Sequence, residues 1–527
     1  MRAALAECRR FRSCKVVFPK GRYEFRPDLA YEEYLFISNN DEGLKRIAFA
    51  LVDMEDVEID GQGSSFVFHG TILPFVVERS HNVKLSNFSV DWQRTFHSEG
   101  RVLRCGPSGV DVEFSQAFPF TIQNGFLRFL DESRNTLPIG SVLEFDTVRR
   151  EPAYGARDQW TAPDIQALPI APGMVRLLHL KFQPAPGNTL VFAAANRNNP
   201  AITISESSGI QLNHVDIYHA GGMGVIAQRS RDIELDHVRV TPAPGSCRVL
   251  SVPADATHFV NCRGRIVISN CLFECQNDDA TNIHGIYGRI AKRINARTVL
   301  VQLVHRQQYG FDLIHPGETL ELVHPHSLIT FGLAVPRTLE RLNKELTQVS
   351  FAHELPAELK VGDGVAAIAY PDVTITHCTV RNNRARGFLL GSRGKIVIED
   401  NVFHTAGSAI QLEGDLSFWF EQAGVRNLTI RRNRFENCNF GSWGNAVIEV
   451  RSRIDPKFRS ISFYNRNIVI EDNLFRMFDQ GRYLRMYSVD GIIFRHNRVE
   501  RTKAYPPRIP AVHQFDITDS SHVEIQE

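Results

Sequence analysis

A short pattern, apolar-x-apolar-x-x-x-x-apolar, recurs along the chain and restricts its fold more than any other feature. It appears as "VKLSNFSV" from Val83, "IQLNHVDI" from Ile210, "IELDHVRV" from Ile233, "IVISNCLF" from Ile266 and "VTITHCTV" from Val373. It returns as "IVIEDNVF" from Ile396, "LTIRRNRF" from Leu428, "IVIEDNLF" from Ile468 and "IIFRHNRV" from Ile492. The shortest intervals are 23 residues (Ile210 to Ile233, Val373 to Ile396) and 24 residues (Ile468 to Ile492). Each unit reads as a period-2 strand, a turn and a second short strand. A unit of that size has no core of its own and must stack on its neighbours. The repeat therefore predicts an all-β solenoid, a right-handed parallel β-helix.

The sixth position of the pattern supports stacking. From the second unit on it is Val215, Val238, Cys271, Cys378, Asn401, Asn433, Asn473 and Asn497 in turn. Side-chain amides stacked along an axis can hydrogen-bond from coil to coil. Cys271 and Cys378 occupy the position of a valine, so a buried structural role is expected for both.

The rhythm breaks twice. The stretches around "GRVLRCGPSGVDVEF" and "RTVLVQLVHRQQYGFDLIHPGETLELV" alternate apolar and polar residues between Gly and Pro punctuation. Both read as all-β insertions on loops of the solenoid, small barrels or sandwiches. The expected organisation is an N-terminal cap with first coils (1–94), an inserted domain (95–195), central coils (196–289), a second inserted domain (290–370) and C-terminal coils (371–527). "AALAECRRF" near the start suits a helix covering the open end of the core.

Bulk properties narrow the partners. Lys plus Arg is 60 and Asp plus Glu is 59, a balance that gives no basis for nucleic-acid binding or an anionic membrane surface. A neutral polymer or small polar ligand fits better. No apolar run approaches the roughly 18 residues of a membrane span. The start, "MRAALAECRRFRSCKVVF", lacks the apolar region of a secretory signal. The compartment is then secreted or periplasmic if a leader is missing, and cytoplasmic otherwise. Nine scattered cysteines argue against a complete disulfide framework. The flanks of the solenoid and its insertions offer surfaces for a homodimer.

One stretch stands apart: "CQNDDATNIHG", from Cys275 to Gly285. Alone it would pass for a solvated turn. One turn earlier, however, Asp255-Ala256-Thr257 repeats Asp279-Ala280-Thr281 at an offset of 24 residues, which is one coil. Adjacent coils lie about 4.8 Å apart, so Asp255 should sit beside Asp279 with Asp278 next to them. Strand alternation then points Ile283 inward and Asn282 and His284 outward together. Three carboxylates on one patch mark a functional site, either catalytic or metal-binding.

Hydrolysis of a glycosidic bond with inversion needs a protonated carboxyl at the leaving oxygen and a carboxylate base for water, roughly 6.5–9.5 Å apart. Stacking assigns Asp255 and Asp279 to the water and Asp278 to the leaving group, in a solvent-filled site, with the roles of Asp278 and Asp279 open to exchange. Candidate substrate-binding residues are Asn282, His284, Arg386, Glu413, Trp419, His258 and Asp415. Glu413 falls on the position of His284 when "AIQLEG" and "TNIHG" are aligned on their glycines. The indole of Trp419 could stack on the apolar face of a sugar, and Arg386 could support the acids electrostatically. No serine-hydrolase elbow, zinc-protease motif or phosphate-binding loop occurs.

At these residues the chain resembles glycoside hydrolase family 110. The resemblance is carried by "ADATHF", "NDDATNIHG", "VVFPKGRYEF", "NNRARGFLLGSRGKIVIED" and "AIQLEGDLSFWFE", from about Val16 to at least Glu449. It implies a β-helix with inserted β-barrels and an exo-acting, inverting α-1,3-galactosidase without cofactor or catalytic metal. The implied substrate is a glycan ending in α-linked galactose, such as the blood group B determinant. Asp255, Asp278 and Asp279 fall on the family's catalytic aspartates. Thr281 and Ile283 depart from its "DDAINVHG" pattern. Two other readings stay open: a β-helix polysaccharide lyase using Ca²⁺, and a non-catalytic glycan-binding solenoid. So does the choice between branched, fucosylated substrates and linear Galα1-3Gal.

Overall fold

The computed structural model describes residues 1–160, 164–422, 424–479, 481–508 and 513–526. In it the repeat winds into a parallel β-helix. The first apolar residue of each unit pairs with its equivalent in the next coil: Val83 with Ile210, Ile210 with Ile233, Ile233 with Ile266 and Ile266 with Val373. The series continues from Val373 through Ile396, Leu428 and Ile468 to Ile492. In-register pairing puts every inward side chain on top of its own kind, and one apolar core runs the length of the solenoid. Each large side chain in it contributes about 1.5–3 kcal/mol by leaving water.

The turn inside each unit has a fixed conformation. The residue before the sixth position is left-handed in His214, His237, Asn270, His377, Asp400, Arg432, Asp472 and His496, with φ between 52° and 58°. Asn, Asp and His tolerate that region better than most residues, which explains their frequency there. The amides that follow form the ladder. Asn401, Asn433 and Asn473 donate through Nδ2 to Oδ1 of Asn433, Asn473 and Asn497 at 3.0, 3.1 and 2.9 Å. The same oxygens accept the backbone N–H of the preceding coil. Cys271 and Cys378 are buried above them in the same row.

A helix at Arg2–Cys8 covers the N-terminal end, burying Leu5 and Cys8 against the core. Cys8 is bonded to Cys14, and the other seven cysteines are free. A hairpin, Tyr31–Ile37 with the start of Asp41–Val52, projects from the first coils. The first insertion is an antiparallel eight-stranded sheet running from Ser98–Gly106 to Thr189–Ala194, accompanied by a three-stranded sheet. The second is a seven-stranded antiparallel sheet from Gly288–Asn295 to Gly364–Ala367. Each has its own apolar core.

One face of the solenoid carries Val225–Gln228, Thr257–Val260, Thr281–Ile286, Phe388–Leu390 and Ile410–Leu412. The outward positions on this face are not open to solvent as alternation alone suggests. Asn282 and His284 are only 5% and 4% exposed. The cause is a loop that folds back over them: Gly285 and Ile286 pair antiparallel with Gln422 and Glu421. Glycine at 285 leaves room for this return, since a Cβ there would lie 2.0 Å from the Gln422 amide oxygen and would push that side chain aside.

Candidate active site

Thr257 pairs with Thr281 and His258 with Asn282 across adjacent coils. The residues that lead into these strands are consequently stacked too. Asp279 donates its backbone N–H to Asp255 Oδ1 at 3.2 Å, and Asp278 lies beside them. One oxygen from each of Asp255, Asp278 and Asp279 falls within 4.8 Å of the others. This is tighter than the expected 6.5–9.5 Å, because Asp279 is one coil rise from Asp255 and an immediate chain neighbour of Asp278. The aspartates are also buried, with exposures of 3%, 8% and 1% for Asp255, Asp278 and Asp279, and do not line an open, solvent-filled site.

Charges crowded this way need compensation. Arg386 grips Asp279 twice, through its backbone N–H to Oδ1 at 3.0 Å and Nη2 to Oδ2 at 2.8 Å. Asp278 receives Arg384 Nη1 on Oδ1 at 3.0 Å and Arg197 Nη2 on Oδ2 at 2.6 Å. Arg384 is in turn held by Asp158 of the first insertion, whose Oδ2 also accepts Trp443 Nε1 at 2.9 Å. With His258 on Asp255 Oδ2, all six carboxylate oxygens have a polar partner.

The three carboxyls do not share one ionisation behaviour. Burial, followed by the Asp278 charge, pushes Asp255 up to about 7. Burial would also raise Asp278, but Arg384, Arg197 and Arg386 outweigh it and hold that group at about 2. Asp279 is raised well above the usual carboxylate range by burial and the two neighbouring aspartates, against the pull of Arg386. The proton expected on Asp278 therefore rests elsewhere in the free site, because the arginines converge on that residue.

Hydrogen-bond accounting locates one proton. His284 Nδ1 faces the Gly285 carbonyl at 2.8 Å and must donate to it. Its Nε2 then accepts from His258 Nε2 at 2.9 Å. This leaves His258 Nδ1 without a proton, 2.5 Å from Asp255 Oδ2, so the proton of that contact belongs to Asp255. Burial agrees, pushing both histidines down to about 3 and keeping the imidazoles neutral. His258 and His284 are thus engaged with each other and with Asp255.

Next to this chain are polar atoms without a hydrogen-bond partner among the described residues: Asn282 Oδ1, Arg386 Nε and Gln411 Oε1. Unpaired buried groups are costly; Asn282 and Gln411 stand in one row of the sheet with Leu389 between them, and polar atoms of this kind suit the hydroxyls of a bound sugar. Glu413 accepts from Gln411 Nε2 at 2.6 Å. Glu421 lies 3.6 Å from His284 Nε2, and its carboxyl is raised well above the usual range by burial and then by Glu413. Trp419 is 38% exposed on the covering loop, its ring 4.9 Å from that of His305 of the second insertion. Asp415 does not face this site as a free ligand. It is fully buried and accepts the backbone N–H groups of Ser417, Phe418 and Trp419, fixing the loop.

Arg197, Arg384, Asp158, Gln411 and Glu421 are absent from the sequence-based set. Arg384 and Arg386 alternate in "NNRARG", a signal that both face one side. Arg197 and Asp158 belong to segments without repeat phase. The carboxylates could gather around a cation by distance alone, but three arginines already supply positive charge there.

Comparison with known proteins places this geometry. Two family models, "GLAA-B beta-barrel domain I" and "GLAA-B beta-barrel domain II", match residues 98–190 and 298–365. "Right handed beta helix region" matches 363–526. Alpha-1,3-galactosidase A of Shewanella woodyi is 38% identical, with 100% of this chain and 87% of that protein covered. Alpha-1,3-galactosidase B of Bacteroides fragilis is 34% identical over 99% of this chain and 91% of that protein. The chain belongs to glycoside hydrolase family 110. As a member of that family it is a glycoside hydrolase on a right-handed parallel β-helix with two GLAA-B β-barrel domains. Among solved structures, the family 28 exopolygalacturonase of Yersinia enterocolitica aligns over 98% of this chain and 74% of its own at 10% identity and a TM-score of 0.38, too distant a likeness to carry weight. The first barrel brings Asp158 to Arg384 and the second brings His305 to Trp419.

Proposed function

We propose that this glycoside hydrolase is an exo-acting α-1,3-galactosidase that removes terminal galactose from glycans such as the blood group B determinant, with inversion. The relatives named above support the bond and the sugar. The observation that carries the chemistry is the aspartate triad with Arg386 on Asp279, on the sheet face that also carries the unpaired Asn282 and Gln411 atoms.

In this mechanism Asp278 protonates the leaving oxygen while Asp255 and Asp279 hold the water that attacks the anomeric carbon. The resting proton on Asp255 must first reach Asp278. Arg197 is the more exposed of the arginines that hold Asp278 ionised, at 30% side-chain exposure, and a substrate oxygen entering there displaces it. The proton then passes within the triad, leaving Asp255 and Asp279 as a paired base. As the C–O bond breaks, Asp278 gives its proton to the leaving oxygen and the water gives one to the pair. With that proton on Asp255 and Arg197 returned to Asp278, the resting site is restored.

Triad oxygens within 4.8 Å of one another are nearer the 5–5.5 Å carboxyl spacing of retaining enzymes than the wider spacing of inverting ones. The reading of inversion rests on the stacked Asp255 and Asp279, a pair that can hold a water between them. The ionised state of Asp278 at rest supports a second assignment, with Asp279 as acid and Asp278 as base. Leaving-group dependence separates them. Asp278→Asn should lose at least about a hundredfold on a glycan substrate and far less on an aryl α-galactoside with a good leaving group, whereas Asp279→Asn should lose on both. The opposite pattern would establish the exchanged roles, and full activity in both variants would remove the triad from the chemistry.

A further inference from the structure

Two coils before the aspartates, the same face of the solenoid floors a cavity of about 580 Å³, flanked by the N-terminal hairpin on one side and the second barrel on the other. That volume lies within the roughly 300–1,000 Å³ of small-ligand sites. It is separate from the active site. Gln228 straps the hairpin tip across the sheet, accepting from the Ser38 backbone N–H at 2.8 Å and donating to the Phe36 carbonyl at 2.9 Å. Asn39 N–H reaches the Gln307 carbonyl of the barrel at 3.1 Å. Thr203 pairs with Ile226 and Ile226 with His258, so the floor lies two strand spacings, about 10 Å, from the catalytic row.

The polar lining sorts by what remains unpaired. Its cations are taken: Arg229 by Glu206 and Glu318 at 2.7 Å each, Arg341 by Asp312 at 3.2 Å and Arg79 by Asp53 at 2.8 Å. No guanidinium is left over for an anion. What lacks a partner among the described residues is Thr203 Oγ1, on a side chain 1% exposed, and Glu78 Oε2. Both accept hydrogen bonds, and the threonine also donates. Burial raises the Glu78 carboxyl, and Glu33 and Asp53 raise it further against Arg79, which weakens it as a ligand for a cation. The walls are aromatic, formed by Tyr34, Phe36 and Phe311, with Tyr34 66% exposed. A flat ring beside unpaired hydroxyl acceptors is the chemistry that holds a pyranose.

We propose that the cavity between the N-terminal hairpin and the second barrel is a non-catalytic binding site for a neutral hexose, with Tyr34 stacking on the ring and Glu78 and Thr203 taking its hydroxyls. None of these side chains belongs to the triad or its arginines. The site would hold a second sugar of the glycans on which the enzyme acts, on the far side of the Gln228 strap.

The test uses the full chain carrying Asp278→Asn, so that nothing is turned over. Saturation-transfer NMR with D-galactose, D-glucose, L-fucose and N-acetyl-D-glucosamine should detect binding of at least one sugar. Tyr34→Ala, and independently Thr203→Val, should weaken it by at least about tenfold. Tyr34 is exposed, so its removal leaves the fold intact, and in the otherwise native chain Tyr34→Ala should leave turnover of an aryl α-galactoside within about twofold. Sugar binding that is indifferent to both substitutions, or no binding by any of the four sugars, would overturn the proposal. So would a calorimetric signal with CaCl₂ that disappears in Glu78→Gln. Absence of galactosidase activity in the native chain would instead refute the catalytic reading and leave this one standing.

Discussion

Asp158 of the first barrel accepts Arg384 Nε at 2.8 Å, and Arg384 Nη1 lies 3.0 Å from Asp278 Oδ1. A residue more than a hundred positions away thus sets the orientation of a triad carboxyl, and the insertion becomes part of the active site. Asp158→Ala should free Arg384 to swing and misplace Asp278. Turnover should fall by up to about a hundredfold, the order expected for misplacement by an ångström, with the thermal midpoint nearly unchanged. Unaltered turnover would show that the barrel contact does not position the acid.

The Asp255–His258 contact predicts a trade of stability against activity. Asp255 is raised to about 7 in the fold, against about 3.9 in an unfolded chain. The folded state therefore prefers the proton, and the stability this contributes is fully present below about pH 4 and lost as pH rises through about 7. Asp255→Asn mimics the protonated carboxyl. It should match the native thermal midpoint near pH 4 and exceed it at pH 8, while turnover falls at least about a hundredfold. A variant less stable than native at pH 8 would place the proton elsewhere.

The asparagine ladder carries part of the stability of the C-terminal coils. Asn433 Oδ1 accepts both the backbone N–H and the side-chain amide of Asn401 at 3.0 Å. Asn433→Ala strands these buried donors and should cost at least about 2 kcal/mol, read as a lower thermal midpoint with turnover intact at low temperature. A midpoint equal to native would mean that water replaces the ladder.

Much of this was legible in the sequence, for physical reasons that also mark where it stops. In-register stacking makes a coil period visible, so Val83 through Ile492 reveal the solenoid, and the 24-residue offset of Asp255 and Asp279 reveals a stacked pair. The same regularity misleads about exposure. His284 points outward as alternation requires, yet Glu421 and Gln422 return over it through a loop with no period. Arg197 and Asp158 reach Asp278 from an edge and an insertion, and nothing in the repeat phases them with it. The coil rise that stacks Asp255 on Asp279 is legible in the offset, whereas the wider gap expected between Asp278 and that pair took no account of Asp278 being the chain neighbour of Asp279.

Metal removal should be without effect. The triad has Arg197, Arg384 and Arg386 as counter-charges, so prolonged EDTA treatment should leave turnover unchanged. Loss of activity restored by Ca²⁺, with unsaturated sugar among the products, would point to a lyase.

The anomeric form of the first galactose released tests the central claim most directly. If Asp255 and Asp279 direct water onto the face opposite the bond that Asp278 protonates, ¹H NMR of an α-1,3-galactoside digest should show β-galactose first, with the α-anomer appearing only by mutarotation. α-Galactose as the first product would require a covalent galactosyl intermediate on one of the three aspartates and would contradict the assignment.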